Sequence, residues 1–351
     1  MPEKLRTLVV GLGRAGAGLH LPVLAKARER QPEWFAPDPV VAYDQDAVAR
    51  ACHAAEGLRT VASLAHAARE MDPERTVVHV CTPPVARVAL VEELLERGFR
   101  RLLVEKPLAS GPRDLARLLD LLRRPGVQAA VVAPWLASTL TDRLTGLVRE
   151  RSALGRLRQI SVVQNKPRFR RSLATTGHPT AFDVEVPHAM GVLLRLAGDA
   201  DVAGATCADL DVNGRRLPRI GGATLRLAHH GGVRSVIRSD LTSPVRERRI
   251  TLRFDQGTAI GHYPAEASDH YAQLRLLVRD APVAPRAVFR DDALTEVMLR
   301  SYTGFATGGT DSAAFAEQAR VVGLLSEAKE LAFPHEAPEG AEAQEELAGV
   351  R

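Results

Sequence analysis

Cysteine is scarce in this chain of 351 residues, which has only Cys52, Cys81 and Cys207. An odd number of cysteines without a C-x-x-C pair argues against both a disulfide framework and a zinc ribbon. Long apolar runs are also missing, since no stretch approaches the roughly 18 residues that a membrane helix requires. The first residues lack the pattern of a signal peptide. These absences predict a cytoplasmic protein in a reducing compartment.

Lysine is rare as well, because five lysines stand against 42 arginines. The net charge of +5 comes from arginines that are spread along the chain and interleaved with acidic residues, rather than massed in one basic arm. We therefore expect neither nucleic acid nor a membrane as a partner. A lysine inside a motif, as Lys106 is, stands out against this background.

The chain has the composition of a globular protein, with 45% hydrophobic and 25% charged residues, and its length predicts two domains of roughly 150 residues each. In the first third, short apolar runs alternate with amphipathic helical patterns, which is typical of a parallel sheet covered on both faces. The predicted strands are Thr7–Val10, Val40–Tyr43, Val77–Cys81, Arg101–Val104 and Val127–Val132. The predicted helices are Ala47–Ala55, Val88–Arg97 and Arg113–Leu122.

After Pro134 the pattern changes to long segments in which polar and apolar residues alternate, typical of an antiparallel sheet with one face in solvent. The predicted strands here are Ile160–Val163, Ala223–Leu227, Arg234–Ser239, Arg248–Phe254 and Thr258–His262, and the predicted helices are Leu140–Arg151, His188–Leu196 and Phe315–Leu331. We predict an α/β protein with a doubly wound Rossmann domain over residues 1–134. An α+β domain with a large, mostly antiparallel sheet follows over 135–333, and a mobile tail over 334–351, where little can be buried.

A glycine-rich loop directly follows the first predicted strand, with the sequence Gly11-Leu12-Gly13-Arg14-Ala15-Gly16. Its first glycine permits a tight strand-to-helix turn, its second lets backbone amides approach a pyrophosphate, and its third lets helix and strand pack closely. The anion would lie at the N-terminus of the helix, where unpaired N–H groups favour negative charge. Arg14 is a candidate contact for the cofactor phosphates or the substrate.

Asp44 ends the second predicted strand, somewhat farther along the chain than a dinucleotide-binding acidic residue usually stands. A carboxylate there can accept hydrogen bonds from both ribose hydroxyls of an adenosine, and it repels a 2′-phosphate. This predicts NAD as the cofactor, with NADP as the alternative if a nearby arginine reverses the preference.

Two further motifs end strands of the predicted parallel sheet, at the edge where such sheets bind ligands. They are Thr82-Pro83-Pro84 and Glu105-Lys106-Pro107. The order G-x-G-x-x-G, T-P-P, E-K-P, followed by a mostly antiparallel half, resembles the glucose–fructose oxidoreductase / inositol dehydrogenase (Gfo/Idh/MocA) family of NAD(P)-dependent oxidoreductases. The resemblance implies that Lys106 contacts the substrate oxygen and the nicotinamide, and it extends the cofactor site to Thr82, Pro83 and Glu105.

The segment from Asp183 to His188 resembles the family's D-x-G-x-H segment, in which the histidine is the acid or base. His188 matches well, but the aspartate four residues earlier falls on Val184, and Gly191 stands where many relatives have a second aspartate. The carboxylate beside His188 is therefore either Glu185, which we favour, or Asp183. Histidine suits proton transfer near neutral pH because its ordinary pKa is about 6.5.

The loop after the strand Ile160–Val163 carries Lys166 and Arg168, which are candidates for binding a phosphate, a carboxylate or sugar hydroxyls. An exposed basic loop is an equally good interpretation. No histidine pair has metal-ligand spacing, so no metal is predicted.

These patterns together predict an NAD-dependent oxidoreductase acting on a secondary alcohol or ketone of a sugar, aminosugar or cyclitol. The alternatives are an imine or conjugated double-bond reductase and a cofactor-binding regulator without turnover. The resemblance also implies a homo-oligomer, either a dimer or a tetramer.

Overall fold

The computed structural model describes residues 3–150, 153–174, 178–266, 269–282 and 284–334. Its first sheet has six strands, all of them parallel. They are β1 (Arg6–Val10), β2 (Val41–Tyr43), β3 (Arg59–Thr60), β4 (Thr76–Val80), β5 (Arg101–Glu105) and β6 (Gln128–Val132). The strand order is β3-β2-β1-β4-β5-β6, so that the order reverses between β1 and β4. Ligands of open α/β sheets bind at this switch point, beyond the carboxyl ends of the strands.

Five helices connect these strands and cover the sheet. They are α1 (Leu21–Arg30), α2 (Ala47–Ala55), α3 (Leu64–Glu70), α4 (Arg87–Glu96) and α5 (Pro112–Leu122). Side chains that satisfy free backbone amides fix where they begin: Asp46 accepts from Val48 N at the start of α2, and Ser63 accepts from His66 N at the start of α3. A π-helical turn, Gly16–His20, joins the glycine-rich loop to α1.

The second sheet has eight strands in the order β14-β13-β12-β11-β7-β10-β9-β8, antiparallel except for the interior pair of β7 and β10. The strands are β7 (Leu157–Asn165), β8 (Ala200–Val212), β9 (Arg215–His229), β10 (Arg234–Asp240), β11 (Glu247–Phe254), β12 (Gly257–His262), β13 (Tyr271–Val278) and β14 (Ala287–Arg290). Helices α6 (Thr139–Arg149), α7 (Phe169–Ala174) and α8 (Val186–Ala197) lie between β6 and β8 in the chain. The predicted fold class, a doubly wound parallel sheet followed by a large, mostly antiparallel one, is confirmed.

The last two helices, α9 (Ala293–Thr307) and α10 (Ser312–Ala332), return toward the first sheet. Met298 and Tyr302 of α9 share one apolar cluster with Leu5 and Val9 of the N-terminal segment. The division predicted at residue 134 assigns α9 to the second domain, whereas its packing places it on the first sheet. The predicted tail is described only at Pro334; residues 335–351 lie outside the described part of the chain.

No helix in the described ranges is long and apolar enough to cross a membrane.

Candidate active site

The three glycines of the loop after β1 differ in how much space surrounds them. Gly11 has a φ of +96°, and a Cβ there would lie 3.0 Å from the carbonyl carbon of Cys81. A Cβ on Gly16 would overlap the carbonyl oxygen of Gly11, whereas around Gly13 no atom lies within 4 Å of a Cβ position. The loop is therefore tightly packed against the end of β4 and against its own backbone but open at Gly13, which fits the close approach of a dinucleotide backbone.

Asp44 follows β2 and fixes the loop while keeping capacity for a ligand. Its Oδ2 accepts from the Leu12 backbone N–H at 2.6 Å, and its Oδ1 accepts from the Asp46 N–H at 2.9 Å. A carboxylate has about four acceptor positions, so positions remain for ribose hydroxyls. Arg50, which the sequence did not single out, donates to the Asp44 carbonyl oxygen at 2.6 Å. A positive charge thus stands beside the residue expected to repel a 2′-phosphate.

The turns after β4 and β5 are joined by Arg87, a side chain that is only 1% exposed. Its guanidinium donates to the Thr82 carbonyl oxygen at 2.7 Å and also to the Pro107 carbonyl oxygen. Burial lowers the pKa of Arg87 to about 10, and the negative charge of Glu105 opposes that shift. The Thr82 hydroxyl is buried without a hydrogen-bond partner in the described structure. It is an unused polar group at the predicted cofactor site.

Lys106 stands directly after β5, at the carboxyl edge of the sheet. Burial lowers its pKa, whereas Glu105, Glu185 and Asp183 raise it. The ammonium therefore lies among carboxylates from both halves of the chain. A partly desolvated ammonium at a strand end can stabilise negative charge that develops on a substrate oxygen.

Glu105 is held by a chain of buried hydrogen bonds. His20 Nε2 lies 2.9 Å from Glu105 Oε1, and His20 Nδ1 lies 2.8 Å from His79 Nδ1. His79 Nε2 is 3.0 Å from the Tyr302 hydroxyl, which is 2.6 Å from the Thr7 hydroxyl. His20, His79, Tyr302 and Thr7 are all fully buried.

The negative charge of Glu105 decides which group donates and which accepts in each of these hydrogen bonds. A carboxylate only accepts hydrogen bonds, so His20 donates from Nε2 and, when neutral, accepts at Nδ1 from His79 Nδ1–H. Burial holds the pKa of His79 well below 6.5, which keeps it neutral, so its Nε2 accepts from Tyr302. Tyr302 in turn accepts from Thr7, and every member of the chain is satisfied.

His188 lies in the first turn of α8, and its ring stacks on Trp135 with 5.9 Å between the ring centroids. Burial and then the positive charge of Lys106 lower its pKa well below 6.5, while Glu185 raises it. His188 is therefore neutral near pH 7 and able to accept a proton. At Gly191, one turn later, a Cβ would lie 2.4 Å from the Gln318 side-chain amide nitrogen, so a side chain there would require Gln318 to shift.

The two candidate carboxylates beside His188 have other partners. Glu185 is 5% exposed and accepts from Lys166 Nζ at 2.5 Å and from Arg248 Nη2 at 3.5 Å. These cations, together with His188, lower its pKa to about 2 against the effect of burial. Asp183 accepts from Lys329 Nζ at 2.6 Å and from the Thr180 hydroxyl at 2.8 Å. Glu185 thus acts on His188 through its charge, and Asp183 mainly fixes the segment that precedes α8.

The basic loop after β7 also faces this site. Lys166 is paired with Glu185, and Arg168 is buried with 3% of its surface exposed. Burial lowers the pKa of Arg168, which Glu185 raises and Arg14 lowers. The charges of both Glu185 and Arg14 of the glycine-rich loop therefore act on Arg168.

Residues 5–133 match the family model described as the oxidoreductase family with an NAD-binding Rossmann fold, GFO_IDH_MocA. The part of the chain that forms the first sheet thus matches the Gfo/Idh/MocA family model. This confirms the resemblance read from the three strand-end motifs, together with the prediction of an oxidoreductase that uses a nicotinamide dinucleotide.

Solved structures share the fold over nearly the whole chain. The 3-ketoreductase KijD10 from Actinomadura kijaniata, in complex with TDP-benzene and NADP, superposes with a TM-score of 0.74 at 16% identity, covering 94% of this chain and 98% of that one. Levoglucosan dehydrogenase, in complex with NADH and levoglucosan, gives a TM-score of 0.73 at 15% identity with the same coverage. No curated protein matches the sequence.

The predicted site residues of this chain fall in three groups. The loop from Gly11 to Gly16 and Asp44 lie at the ends of β1 and β2, and Thr82, Pro83, Glu105 and Lys106 lie at the ends of β4 and β5. Lys166, Arg168, Asp183, Glu185 and His188 approach from the second sheet and α8. Their roles remain predictions. Lys106 lowers the pKa of His188 and Glu185 raises that of Lys106, so the second and third groups lie within electrostatic range of one another.

Three residues of the site were missed from the sequence. Arg50 and Arg87 are hidden among 42 arginines, and only the structure shows that they bind strand-end carbonyls. His79 lies within an apolar strand, where a lone histidine gives no signal. The contact of His20 with Glu105 was not predictable either, because the two residues are 85 positions apart in the chain.

Proposed function

We propose that the protein transfers hydride between a nicotinamide dinucleotide and a secondary alcohol or ketone of a small polyhydroxylated molecule: a sugar, aminosugar or cyclitol. The observation that carries this proposal is that Lys106, which directly follows β5 at the carboxyl edge of the parallel sheet, lies close enough to the buried His188 for its charge to lower the pKa of that histidine. A 3-ketoreductase and levoglucosan dehydrogenase share the fold, which supports a hydroxyl or ketone substrate of this class.

The residues of the first sheet would hold the cofactor. The open backbone at Gly13, with Arg14 and Ala15 following it, suits the diphosphate. The Asp44 carboxylate suits the adenosine ribose, and Thr82 and Pro83 follow the next strand end. The nicotinamide would supply the hydride acceptor for oxidation of an alcohol and the hydride donor for reduction of a ketone. We propose NAD as the preferred form because Asp44 carries a full negative charge at the ribose position, although Arg50 weakens that preference.

The chain's own groups move and balance the proton. In the direction of oxidation, the substrate hydroxyl gives its proton to a ring nitrogen of His188 while the Lys106 ammonium stabilises the oxygen that becomes the carbonyl. Glu185 stabilises the resulting imidazolium by its charge. In reduction the proton returns from His188 to the oxygen, so the same residues serve both directions.

A substrate panel tests the proposal. Purified protein is incubated with oxidised NAD or NADP and a range of polyols, and in reverse with ketones, imines and enones, while reduced cofactor is followed by absorbance at its nicotinamide band. Turnover of polyols or their ketones supports the proposal. Reduction of imines or enones alone would assign the alternative reductase activity, and tight cofactor binding without turnover would assign a regulator.

We further propose that the protein forms a homo-oligomer through the outer face of its second sheet. Tyr271 and Val288 lie on this sheet with 60% of each side chain exposed, and large apolar residues exposed in this way favour burial against a partner. Sedimentation of the wild type and of a Tyr271→Lys, Val288→Lys double variant tests this. A monomeric wild type would refute it.

A further inference from the structure

Arg168 is a buried cation with unused hydrogen-bond donors. Its Nε and Nη1 atoms are buried and have no hydrogen-bond partner in the described part of the chain. Arg87, which is similarly buried, binds two carbonyl oxygens instead. An uncompensated charge inside a protein costs several kcal/mol, so such a group is retained where a partner completes it. None of the described residues supplies this hydrogen-bond partner, so we look for it in a bound ligand.

The nearest carboxylate is already engaged. Glu185 accepts from Lys166 and Arg248, both of which reach it from the second sheet or the loop that follows β7. Arg168 therefore feels the charge of Glu185 without a hydrogen bond to it. Three cations share one carboxylate here, and positive charge is left in excess.

The same excess of positive charge acts on His178. Its pKa is lowered to about 4 by burial and then by the positive charges of Arg168, Lys106 and Lys166, against the opposing charge of Asp183. A neutral imidazole beside an unpaired guanidinium offers a hydrogen bond without adding repulsion to an anion. The site is thus built to bind negative charge next to the reacting centre.

Resting on the proposed function, we propose that the substrate carries a carboxylate or phosphate group and that the Arg168 guanidinium binds it. Charge-assisted hydrogen bonds from a guanidinium to such anions are short and strong, and they would satisfy the donors that the fold leaves free. Lys166 adds charge nearby but is fixed by Glu185, so Arg168 supplies the direct contact. The proposed substrate is therefore a uronate or another sugar acid, or a phosphorylated sugar, rather than a neutral polyol.

The cofactor diphosphate is the competing anion, because Arg14 of the glycine-rich loop lies close enough to lower the pKa of Arg168. Arg168 belongs to the loop of the second sheet, where its backbone N–H donates to the Leu241 carbonyl oxygen at 3.1 Å. It also acts on His178 together with Lys106. Both relations place it on the substrate side, and the experiment below separates the two anions.

The test measures binding to the protein saturated with oxidised cofactor, by isothermal titration calorimetry. The probes are D-glucuronate, inorganic phosphate and D-glucose, so that a carboxylate, a phosphate and a matched neutral sugar are compared. In the wild type we expect at least one anion to bind at least about tenfold more tightly than D-glucose. Arg168→Gln should abolish that preference, whereas Arg170→Gln, an exposed arginine two residues away, should retain it.

Three results would overturn the proposal. The first is a wild type that prefers neither anion, and the second is a preference that survives Arg168→Gln. The third is an Arg168→Gln protein whose cofactor affinity falls tenfold or more, because the guanidinium would then bind the diphosphate. This experiment measures binding and does not require turnover. If the protein oxidises no polyol but still binds an anion through Arg168, the proposed function fails while this inference stands.

Folding of the variant gives a second readout. Arg168→Met removes an unpaired buried charge, so in the absence of anions its melting temperature should equal or exceed that of the wild type. Phosphate should then raise the melting temperature of the wild type but not that of the variant. A variant that melts several degrees lower, or fails to fold, would show that Arg168 has a structural partner and would overturn the proposal.

Discussion

His20 donates from Nε2 to Glu105 Oε1 at 2.9 Å, so the residue before the proposed catalytic lysine is fixed from the interior of the first domain. Glu105 Oε2 also accepts from the Lys106 backbone N–H at 3.1 Å. The carboxylate is thereby fixed at both oxygens, and the backbone that carries Lys106 is fixed with it.

Replacing His79 by leucine should lower the free energy of unfolding by about 1–3 kcal/mol, because it leaves His20 Nδ1 and the Tyr302 hydroxyl buried without partners. Urea unfolding measures the change. The control is His230→Leu at an exposed position, for which we expect a change of less than about 0.5 kcal/mol. Equal effects of the two substitutions would show that the buried chain adds no stability.

Lys106→Ala should lower turnover by at least about 100-fold, since losing one donor to a developing negative charge costs roughly 3 kcal/mol in the transition state. The dissociation constant of the cofactor should stay within a few-fold of the wild-type value. Steady-state kinetics and fluorescence titration give the two numbers, and Lys4→Ala, at an exposed position, serves as the control. Unchanged turnover would remove Lys106 from the mechanism.

The pH dependence of oxidation should reflect His188. The base must be neutral, and its pKa is held well below 6.5, so kcat/KM should stay high down to acidic pH and fall only below that lowered pKa. Glu185→Gln removes a charge that raises this pKa, so the acidic limb should move to lower pH. Asp183→Asn is the control, because Glu185 and not Asp183 acts on His188. Persistence of the limb in His188→Ala would assign the proton to another group.

His178 should contribute to acid sensitivity of the fold. Its folded pKa of about 4 lies below its ordinary value of 6.5, so the unfolded chain binds the proton first and stability falls as pH decreases from 6.5 to about 4. In that window, His178→Gln should reduce the slope of the unfolding free energy by up to about 1.4 kcal/mol per pH unit. Chemical unfolding at several pH values measures the slope, with His230→Gln as the control. An unaltered slope would mean that His178 is not held neutral by its surroundings.

Cofactor preference should depend on Asp44. Its charge repels a 2′-phosphate, so the wild type should bind NAD more tightly than NADP by on the order of tenfold. Asp44→Ser should weaken NAD binding and narrow the ratio, and Arg50→Gln should widen it by removing the neighbouring positive charge. Dissociation constants of both cofactors on the three proteins decide this. Equal affinities in the wild type would show that Arg50 outweighs Asp44.

Much of the first sheet could be predicted because its strands are short apolar runs that end at glycine or proline signals. The helix Ala47–Ala55 was predicted to the residue, since Asp46 marks its start. The strand Ala200–Val212 was missed because alanine, glycine and aspartate are poor strand formers, and its long antiparallel pairing with β9 stabilises it instead. Helix α9 was missed because the residues on which it packs lie at the other end of the sequence.

The site was predictable where the backbone itself carries the chemistry, as in the glycine-rich loop and the residues after β4 and β5. Partners of side chains were not predictable, because they depend on distant contacts. The sequence favoured Glu185 as the neighbour of His188, but it could not show that Lys166 and Arg248 take both of its oxygens. Nor could it distinguish the buried Arg168 from the exposed Arg170.

The hydrogen bond between Thr7 and Tyr302 spans 295 residues of sequence. During synthesis the first strand leaves the ribosome long before α9 exists. The apolar face that α9 covers therefore stays uncovered until nearly all of the described chain has been made. The nascent N-terminal half therefore exposes this hydrophobic surface for most of translation. A chain truncated before residue 293 would expose it permanently. Fragments of this protein that end between its two sheets should accordingly bind chaperones or aggregate, although all six strands of the parallel sheet are present.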